Sequence, residues 1–123
     1  MFVRQFNSHS DLPELQTWLI ARKLNPVPAS ELPALGFVVP GVACAFVRAI
    51  EGNYCLMDSL ASNPAASAET RNAALEMLFN AVLAGAQGRA ILGITVDDGT
   101  LVRAQAFGFK KSDHVLLVLK PVG

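Results

Sequence analysis

Charge, cysteine and histidine are scarce in this 123-residue sequence, and each scarcity argues against a class of function. Charged residues make up 16% of the chain, with ten basic and ten acidic side chains, so the formal net charge is zero. Without a basic excess, no overall field draws the protein to nucleic acid or anionic lipid. The two cysteines and two histidines lack the spacing of a metal site. We therefore predict no nucleic-acid partner, no membrane partner and no bound metal.

Long hydrophobic runs are also missing, although 52% of the residues are hydrophobic and the mean hydropathy is +0.39. Pro, Gly or charged residues interrupt every apolar run well before the roughly 18 residues that a membrane span needs. The first residues, Met1 to Phe6, lack the basic start, apolar centre and cleavage site of a secretion signal. These absences predict a cytoplasmic protein with a single domain over residues 1–123.

The two cysteines are predicted to be reduced and buried. A tight turn at Glu51-Gly52 would place Cys44 opposite Ser59 and Cys55 opposite Arg48 on adjacent antiparallel strands. Cysteines in this register do not face each other. We therefore expect no disulfide.

Hydrophobic periodicity predicts a mixed α/β protein with about six strands and three to four helices. The predicted strands are Phe2–Phe6, Phe37–Val39, Val42–Ile50, Asn53–Leu60, Ala90–Val96 and Val115–Leu119. The predicted helices run from a Ser10 cap to near Leu24, from a Ser67 cap to Gly85, and from Thr100 to Phe107, opened by Asp97-Asp98-Gly99. Three prolines between Asn25 and Leu35 predict a loop with at most a short helical turn. The first four strands form an antiparallel meander, and the strand–helix–strand succession that follows implies a parallel pair.

The segment from Asn53 to Phe79 carries the strongest functional signal. Its strand passes through a loop of small residues, 61–67, into the most regular amphipathic helix of the chain. The unpaired N–H groups of a first helical turn favour an anion, and small side chains let a ligand approach the backbone. This pattern predicts phosphate binding at the start of the helix.

The order of elements and three short motifs resemble the GNAT superfamily of acyl-CoA-dependent N-acyltransferases over essentially the whole chain. The motifs are Asn63-Pro64 in the loop, Arg71-Asn72-Ala73-Ala74 in the helix, and Gly108-Phe109 after the last helix. The resemblance is to the short forms encoded by bacteriophages in particular.

This resemblance implies a mixed sheet that splays between its fourth and fifth strands, with the pantetheine arm of acetyl-CoA in the split. Carried over by position, the pantetheine contacts fall on Leu60, Ala61 and Ser62. The pyrophosphate contacts fall on Arg71, Asn72, Ala73 and Ala74.

The sequence also departs from the pattern of the family. The usual glycines of the phosphate loop are missing, and Glu76 stands where one is common. Ala104 occupies the position at which many members carry a tyrosine as general acid. For the general base, Asp58 on the fourth strand is the candidate, because a carboxylate there could deprotonate an amine directly or through water.

Two functional hypotheses follow. In the first, the protein is an N-acetyltransferase in which a primary amine, on a small molecule or a protein, directly attacks acetyl-CoA. In the second, it is a catalytically inactive GNAT-fold protein that binds and modulates a host protein, in the host cytoplasm if the chain is phage-encoded. The apolar last strand, Val115–Leu119, favours a homodimer in either case.

Overall fold

The computed structural model describes residues 1–95 and 98–121, apart from the side chain of Ser59. Val96 and Asp97, where the sequence predicts the end of a strand and the start of a helix, lie outside the described residues. The strands are β1 (Arg4–Gln5), β2 (Leu35–Val39), β3 (Ala43–Ala49), β4 (Tyr54–Ser62) and β5 (Ala90–Gly93). The helices are α1 (Leu12–Ala21), α2 (Ala68–Gly85) and α3 (Asp98–Phe107), with a 3-10 turn at Ala29–Glu31.

The strands form one mixed sheet in the order β1-β2-β3-β4-β5. The first four pair as the predicted antiparallel meander, and β5 pairs parallel with β4. Helix α2 connects the parallel pair, because parallel neighbours need a long crossover. The mixed α/β architecture expected from the sequence is confirmed.

Hydrophobic side chains cover the two faces of the sheet in separate clusters. On one face, α1 contributes Leu15 and Trp18, which cluster with Cys44 and Phe46 of β3. On the other face, α2 supplies apolar residues at helical spacing against β2, β3 and β4: Ala74, Leu78 and Val82. Since β3 is covered on both sides, residues 43–47 are buried without alternation.

The register between β3 and β4 differs from the prediction by one or two residues. Ile50 N–H donates to the Tyr54 carbonyl at 3.3 Å, so the turn holds three residues, with Gly52 at φ +90°. Cys55 therefore lies opposite Ala49 and Cys44 opposite Ala61. The predicted opposite residues were wrong because the turn is longer than assumed, but both cysteines are buried and not joined in a disulfide, as expected.

A β-bulge adds a second shift in the register of these two strands. Cys44 pairs with Ala61 and Phe46 pairs with Asp58, so Ala45 alone faces two residues, 59 and 60. A bulge bends its strand and rotates the residues that follow it. Met57 and Leu60, three residues apart, consequently pack with the same α2-side cluster, whereas a regular strand would place them on opposite faces.

The start of α1 also differs in detail from the expectation. The N-cap is Asp11 rather than Ser10. Its carboxylate forms an ion pair with Arg4 at 2.7 Å and accepts a hydrogen bond from the Asn7 N–H, and these contacts lower the pKa of Asp11. The carboxylate thus connects β1 to α1 instead of capping the helix.

The predicted last strand, Val115–Leu119, is not paired with the sheet. Its five side chains are between 63% and 96% exposed, and its backbone makes no ladder with β5. An apolar run becomes a strand only where another strand accepts its hydrogen bonds, so the sheet of the described residues has five strands. None of the described helices is long and apolar enough to cross a membrane.

Candidate functional site

The loop between β4 and α2 is fixed by one asparagine. Asn63 N–H donates to the Val42 carbonyl at 2.7 Å, and its side chain donates to the Gly41 carbonyl at 3.0 Å. The Asn63 side-chain oxygen accepts from the Ala65 N–H at 2.9 Å, which turns the chain toward the helix. The Asn63-Pro64 motif therefore fastens this loop to the turn between β2 and β3.

Helix α2 begins at Ala68, and Ser67 is its N-cap, as the sequence predicted. The Ser67 hydroxyl accepts from the Thr70 N–H at 3.1 Å, and the Ser67 carbonyl accepts from the Arg71 N–H at 2.9 Å. The N–H groups without an intrahelical acceptor belong to the first turn, so they precede Arg71. The first turn thus leaves the N–H groups of Ala68 and Glu69 for a ligand.

Strands β4 and β5 separate halfway along β4. Tyr54 to Met57 pair with Ala90 to Gly93, and no pairing with β5 continues beyond Met57. Residues 58–62 of β4 pair only with β3 on their other side. The sheet therefore opens between its fourth and fifth strands, as the resemblance implied.

The end of β4 offers a backbone carbonyl to this opening. Asn63 points its N–H at β3, and neighbouring residues of a strand alternate in the direction of their backbone groups, so the Ser62 carbonyl points away from β3. Arg22, the residue after α1, donates from Nε to this carbonyl at 3.2 Å and from Nη2 to the Ser62 hydroxyl at 2.9 Å. The guanidinium of Arg22 thus lies at the opening.

A cleft of about 570 Å³ occupies the opening. Its walls come from the end of α1, the end of β4, and the first turns of α2 and α3. The lining residues are Leu19, Arg22, Leu24, Ala43, Leu60, Ala61, Ser62, Arg71, Leu75, Gly99, Thr100 and Arg103. Three of these side chains are arginines, and none of the described lining residues is acidic.

Arg71 is the most enclosed of the three arginines. Its Nε is buried and has no hydrogen-bond partner among the described residues. A buried donor without a partner costs about 1 to 3 kcal/mol, so such a group is expected to have an acceptor in the functional state. The cleft consequently has the size and the charge for an elongated anion.

A second groove of about 490 Å³ adjoins the cleft between α2 and α3, and the two share Leu75 and Arg103. Asn72, Glu76 and Asn80 are among its polar lining residues. Helix α3 is held beside it by Phe79 of α2, whose ring centroid is 5.1 Å from that of Phe107 and 5.2 Å from that of Phe109. These ring contacts pack α3 and the residue that follows Gly108 against α2.

Solved structures with a similar fold include acetyltransferases, and one of these is in complex with CoA. The chain is similar to an aminoglycoside antibiotic 6'-N-acetyltransferase from Acinetobacter haemolyticus, with a TM-score of 0.66 and 14% identity over 100% of both chains. It is similar to an aminoglycoside N-acetyltransferase in complex with CoA, with a TM-score of 0.60 and 18% identity, over 98% of this chain and 99% of that chain. A protein from Novosphingobium aromaticivorans assigned to the GNAT family of acetyltransferases aligns with a TM-score of 0.67 and 14% identity, over 89% of this chain and 52% of that chain. This chain has the GNAT fold. The sequence matches no protein-family model and no curated protein.

The GNAT fold brings only some of the predicted cofactor residues together. Leu60, Ala61, Ser62 and Arg71 all line the cleft. Asn72 lines the neighbouring groove, the Ala73 side chain is exposed, and the Ala74 side chain is fully buried in the α2-side core.

The pyrophosphate contacts that the resemblance implies at residues 71–74 do not coincide with the free N–H groups of α2. Arg71 N–H is already bonded to Ser67, and residues 72–74 lie deeper in the helix. The free N–H groups of Ala68 and Glu69 lie earlier in the helix, next to the predicted N-cap Ser67.

Asp58, the predicted base, lies outside the described lining of both cavities. Its Oδ2 accepts from Arg48 Nε at 3.1 Å, and Arg48 Nη2 also donates to the Glu31 carbonyl at 2.9 Å. Glu31 ends the 3-10 turn in the proline-rich loop. The predicted base and the proline-rich loop are therefore connected through one arginine.

The structure also bears on whether a cysteine could act as a nucleophile and whether a metal could bind. Burial raises the pKa of the Cys44 thiol to about 12, so this cysteine is protonated near neutral pH and is not a nucleophile. Among the described residues, no three His, Cys, Asp or Glu side chains are grouped so that they could hold a metal ion.

Sequence reasoning missed Arg22 and Arg103 as site residues. They lie in different helical regions, 49 and 32 residues from Arg71 along the chain, so no local pattern connects them. Only the opening between β4 and β5, together with the placement of α1 and α3, brings them to one cleft.

Proposed function

We propose that this protein is an acyl-CoA-dependent N-acetyltransferase. The observation that carries the proposal is the arginine-lined cleft where β4 and β5 separate. It is supported by the Ser62 carbonyl facing the opening, by the buried Arg71 Nε without a partner, and by the GNAT fold. An acyl-CoA has an extended amide-containing arm and a polyanionic end, and this cleft offers backbone groups and cationic side chains to the two parts.

Within this proposal, Leu60, Ala61 and Ser62 would contact the pantetheine arm, and Arg71 with the first turn of α2 would face the diphosphate. Bound acetyl-CoA would supply a thioester carbonyl that an amine can attack. The new C–N bond forms as the C–S bond breaks, and CoA leaves as the thiolate. Holding the two reactants in line supplies much of the rate acceleration.

Asp58 is the proposed acceptor of the amine proton. Its carboxylate is held on the α1 face of the sheet by Arg48, beside the loop that would admit the acceptor. No tyrosine stands at position 104 to protonate the departing thiolate. Because the thiolate is a stable leaving group near neutral pH, proton transfer from solvent suffices in this proposal.

Binding of the cofactor is tested by thermal unfolding with acetyl-CoA. If the dissociation constant is about 10 µM, then about 1 mM acetyl-CoA stabilises the folded state by roughly 2.7 kcal/mol. For a domain of this size the melting temperature would rise by on the order of 10 °C. No rise with acetyl-CoA or CoA would overturn the proposal.

The base is tested by Asp58→Asn on an amine substrate found by screening small-molecule and peptide amines. A general base contributes typically about 10²- to 10⁴-fold, so kcat should fall by that factor while acetyl-CoA still raises the melting temperature. Asp113→Asn, in the exposed segment after α3, is the matched control. Unchanged turnover in Asp58→Asn would remove this residue from the mechanism.

A second candidate function is that of a catalytically inactive GNAT-fold protein that binds another protein. The exposed apolar residues 115–119 and the alanine at position 104 favour it. The partner would be a host protein if the chain is phage-encoded, or a second copy of this chain. Acetyl-CoA binding without turnover on any amine would support this candidate over the enzyme.

A further inference from the structure

We infer that the diphosphate of the cofactor is held by side chains of three arginines from separate elements instead of by a backbone cradle. The arginine clamp consists of Arg22 after α1, Arg71 in α2 and Arg103 in α3. This inference rests on the proposed function, and it assigns to two residues, Arg22 and Arg103, a role that no sequence motif gives them.

The backbone of α2 is poorly suited to hold a diphosphate by itself. A cradle of amides requires several N–H groups that are free and that a ligand can approach. Here the Thr70 N–H is taken by the Ser67 hydroxyl and the Arg71 N–H by the Ser67 carbonyl. No glycine occurs between Asn53 and Ala84, so side chains flank the backbone throughout this segment.

The charge of the cleft supplies what the backbone lacks. Three guanidinium groups line it, and none of its described lining residues carries a compensating carboxylate. The only ion pairs among the described residues are Arg4 with Asp11 and Arg48 with Asp58, so Arg71 and Arg103 have no acidic partner there. Planar guanidinium groups bind phosphate oxygens through two parallel hydrogen bonds, which suits a diphosphate better than a single charge.

Arg22 is held in place before any ligand arrives. Its bonds to the Ser62 carbonyl and hydroxyl keep the guanidinium at the end of β4, where the pantetheine arm would meet the diphosphate. Since Ser62 supplies neutral acceptors, a phosphate oxygen would bind the same guanidinium more strongly. Arg22 would therefore exchange a neutral partner for a charged one when the cofactor binds.

The test compares ligands with and without phosphate on single substitutions of the clamp. Titration calorimetry would measure the binding of CoA, pantetheine and inorganic pyrophosphate to the wild-type protein and to Arg22→Gln, Arg71→Gln and Arg103→Gln. Arg89→Gln, an exposed arginine outside the cleft lining, is the charge-matched control. Circular dichroism and melting temperature would establish that each variant is folded.

We expect each clamp substitution to weaken CoA binding about tenfold or more, while pantetheine binding stays within about twofold, because a charge-assisted hydrogen bond is worth roughly 1.5 to 3 kcal/mol. Raising the salt concentration should weaken CoA binding to the wild-type protein, and this dependence should decrease in each clamp variant. Arg89→Gln should bind CoA as the wild type does. Arg22→Lys keeps the charge but lacks the planar guanidinium that can form two parallel hydrogen bonds. Its affinity for CoA should therefore fall between those of the wild type and Arg22→Gln.

The outcomes separate this inference from the proposed function. If the wild type binds CoA and all three clamp variants bind it equally well, the clamp is overturned and the proposed function stands. If the wild type binds inorganic pyrophosphate through these arginines but not CoA, the anion site stands and the proposed function is overturned. If the wild type binds neither, both are overturned. Equal losses of affinity for CoA and pantetheine in the clamp variants would also contradict the clamp, since they would indicate a general disturbance of the cleft.

Discussion

The two halves of β4 differ in their neighbour on the side away from β3. Residues 55–57 pair with β3 on one side and β5 on the other, and the α2-side cluster covers Cys55 and Met57. Residues 58–62 pair with β3 alone, and their far side borders the cationic cleft. One strand can thus belong to the core over one half and form the wall of a cleft over the other, because its second neighbour ends early.

Truncating a core side chain in the α2-side cluster, which covers residues 55–57 of β4, should have the largest effect on stability. Leu78 is fully buried and belongs to the same α2-side cluster as Cys55. We expect Leu78→Ala to lower the free energy of unfolding by about 2 to 5 kcal/mol, measured by denaturant titration. Leu83→Ala, on an exposed position of the same helix, should stay within about 0.5 kcal/mol. Similar losses in the two variants would contradict the assignment of the core to this face.

Whether the sheet is closed to water beneath residues 58–62 of β4 can be tested through the titration of Cys44, which lies opposite Ala61. Burial raises the pKa of this thiol from 9.0 to about 12. The unfolded thiol ionises first, so the stability it contributes is complete below pH 9 and is lost as the pH rises toward 12. At about pH 10 the loss is on the order of 1 kcal/mol.

The measurement compares unfolding free energies of the wild type and Cys44→Ala across this pH range. The wild type should lose stability more steeply than Cys44→Ala above about pH 9. The slopes matter here, because the substitution also changes packing by a pH-independent amount. Parallel curves would show that water reaches Cys44 and that the sheet is not closed beneath the cleft.

The positive charge of the arginine-lined cleft can be tested by adding a carboxylate to it. Leu24 lines the cleft and is 55% exposed, so Leu24→Glu should fold normally. A new negative charge near the arginines should weaken CoA binding by about 1 kcal/mol, or roughly fivefold. Leu83→Glu is the control, since Leu83 is 53% exposed and lies outside the cleft lining. Equal effects of the two substitutions on calorimetric binding would indicate only a long-range charge effect.

The smallest expected effect comes from Ser62→Ala. It removes the hydroxyl that accepts from Arg22 Nη2 at 2.9 Å but keeps the carbonyl that accepts from Nε. Because the contact is exposed, the free energy of unfolding should change by less than about 0.5 kcal/mol. Ser62→Thr keeps the hydroxyl and should match the wild type in melting temperature. A loss of several degrees in Ser62→Ala alone would mean that this contact fastens α1 to the sheet.

Much of the fold could be predicted from the sequence because its signals are local. The spacing of Leu75, Leu78 and Val82 predicts α2, and Ser67 marks its start. The turn at Gly41 and the apolar runs beside it predict the meander. The register of β3 and β4 could not be predicted, since it depends on a three-residue turn and a bulge that leave no pattern in composition.

The site was predictable only where it follows the chain. Leu60, Ala61 and Ser62 are consecutive, so a resemblance at one motif locates all three. Arg22 and Arg103 depend on how two helices pack around the opening, which is a tertiary property. The role of Asp58 as a base stays a prediction, because its position on the α1 face does not by itself bring it to a reacting amine.

The bulge at residues 59 and 60 sets the phase of everything that follows it in β4. Without the bulge, the register of Phe46 and Asp58 would continue and bring Ser62 opposite Val42. The Ser62 carbonyl would then aim at the neighbouring strand, and Arg22 would find no acceptor at the rim. Because the bulge takes up one extra residue, Ser62 instead lies opposite Ala43 and turns its carbonyl toward the cavity. An irregularity in the ladder thus decides which backbone atoms the cavity wall presents.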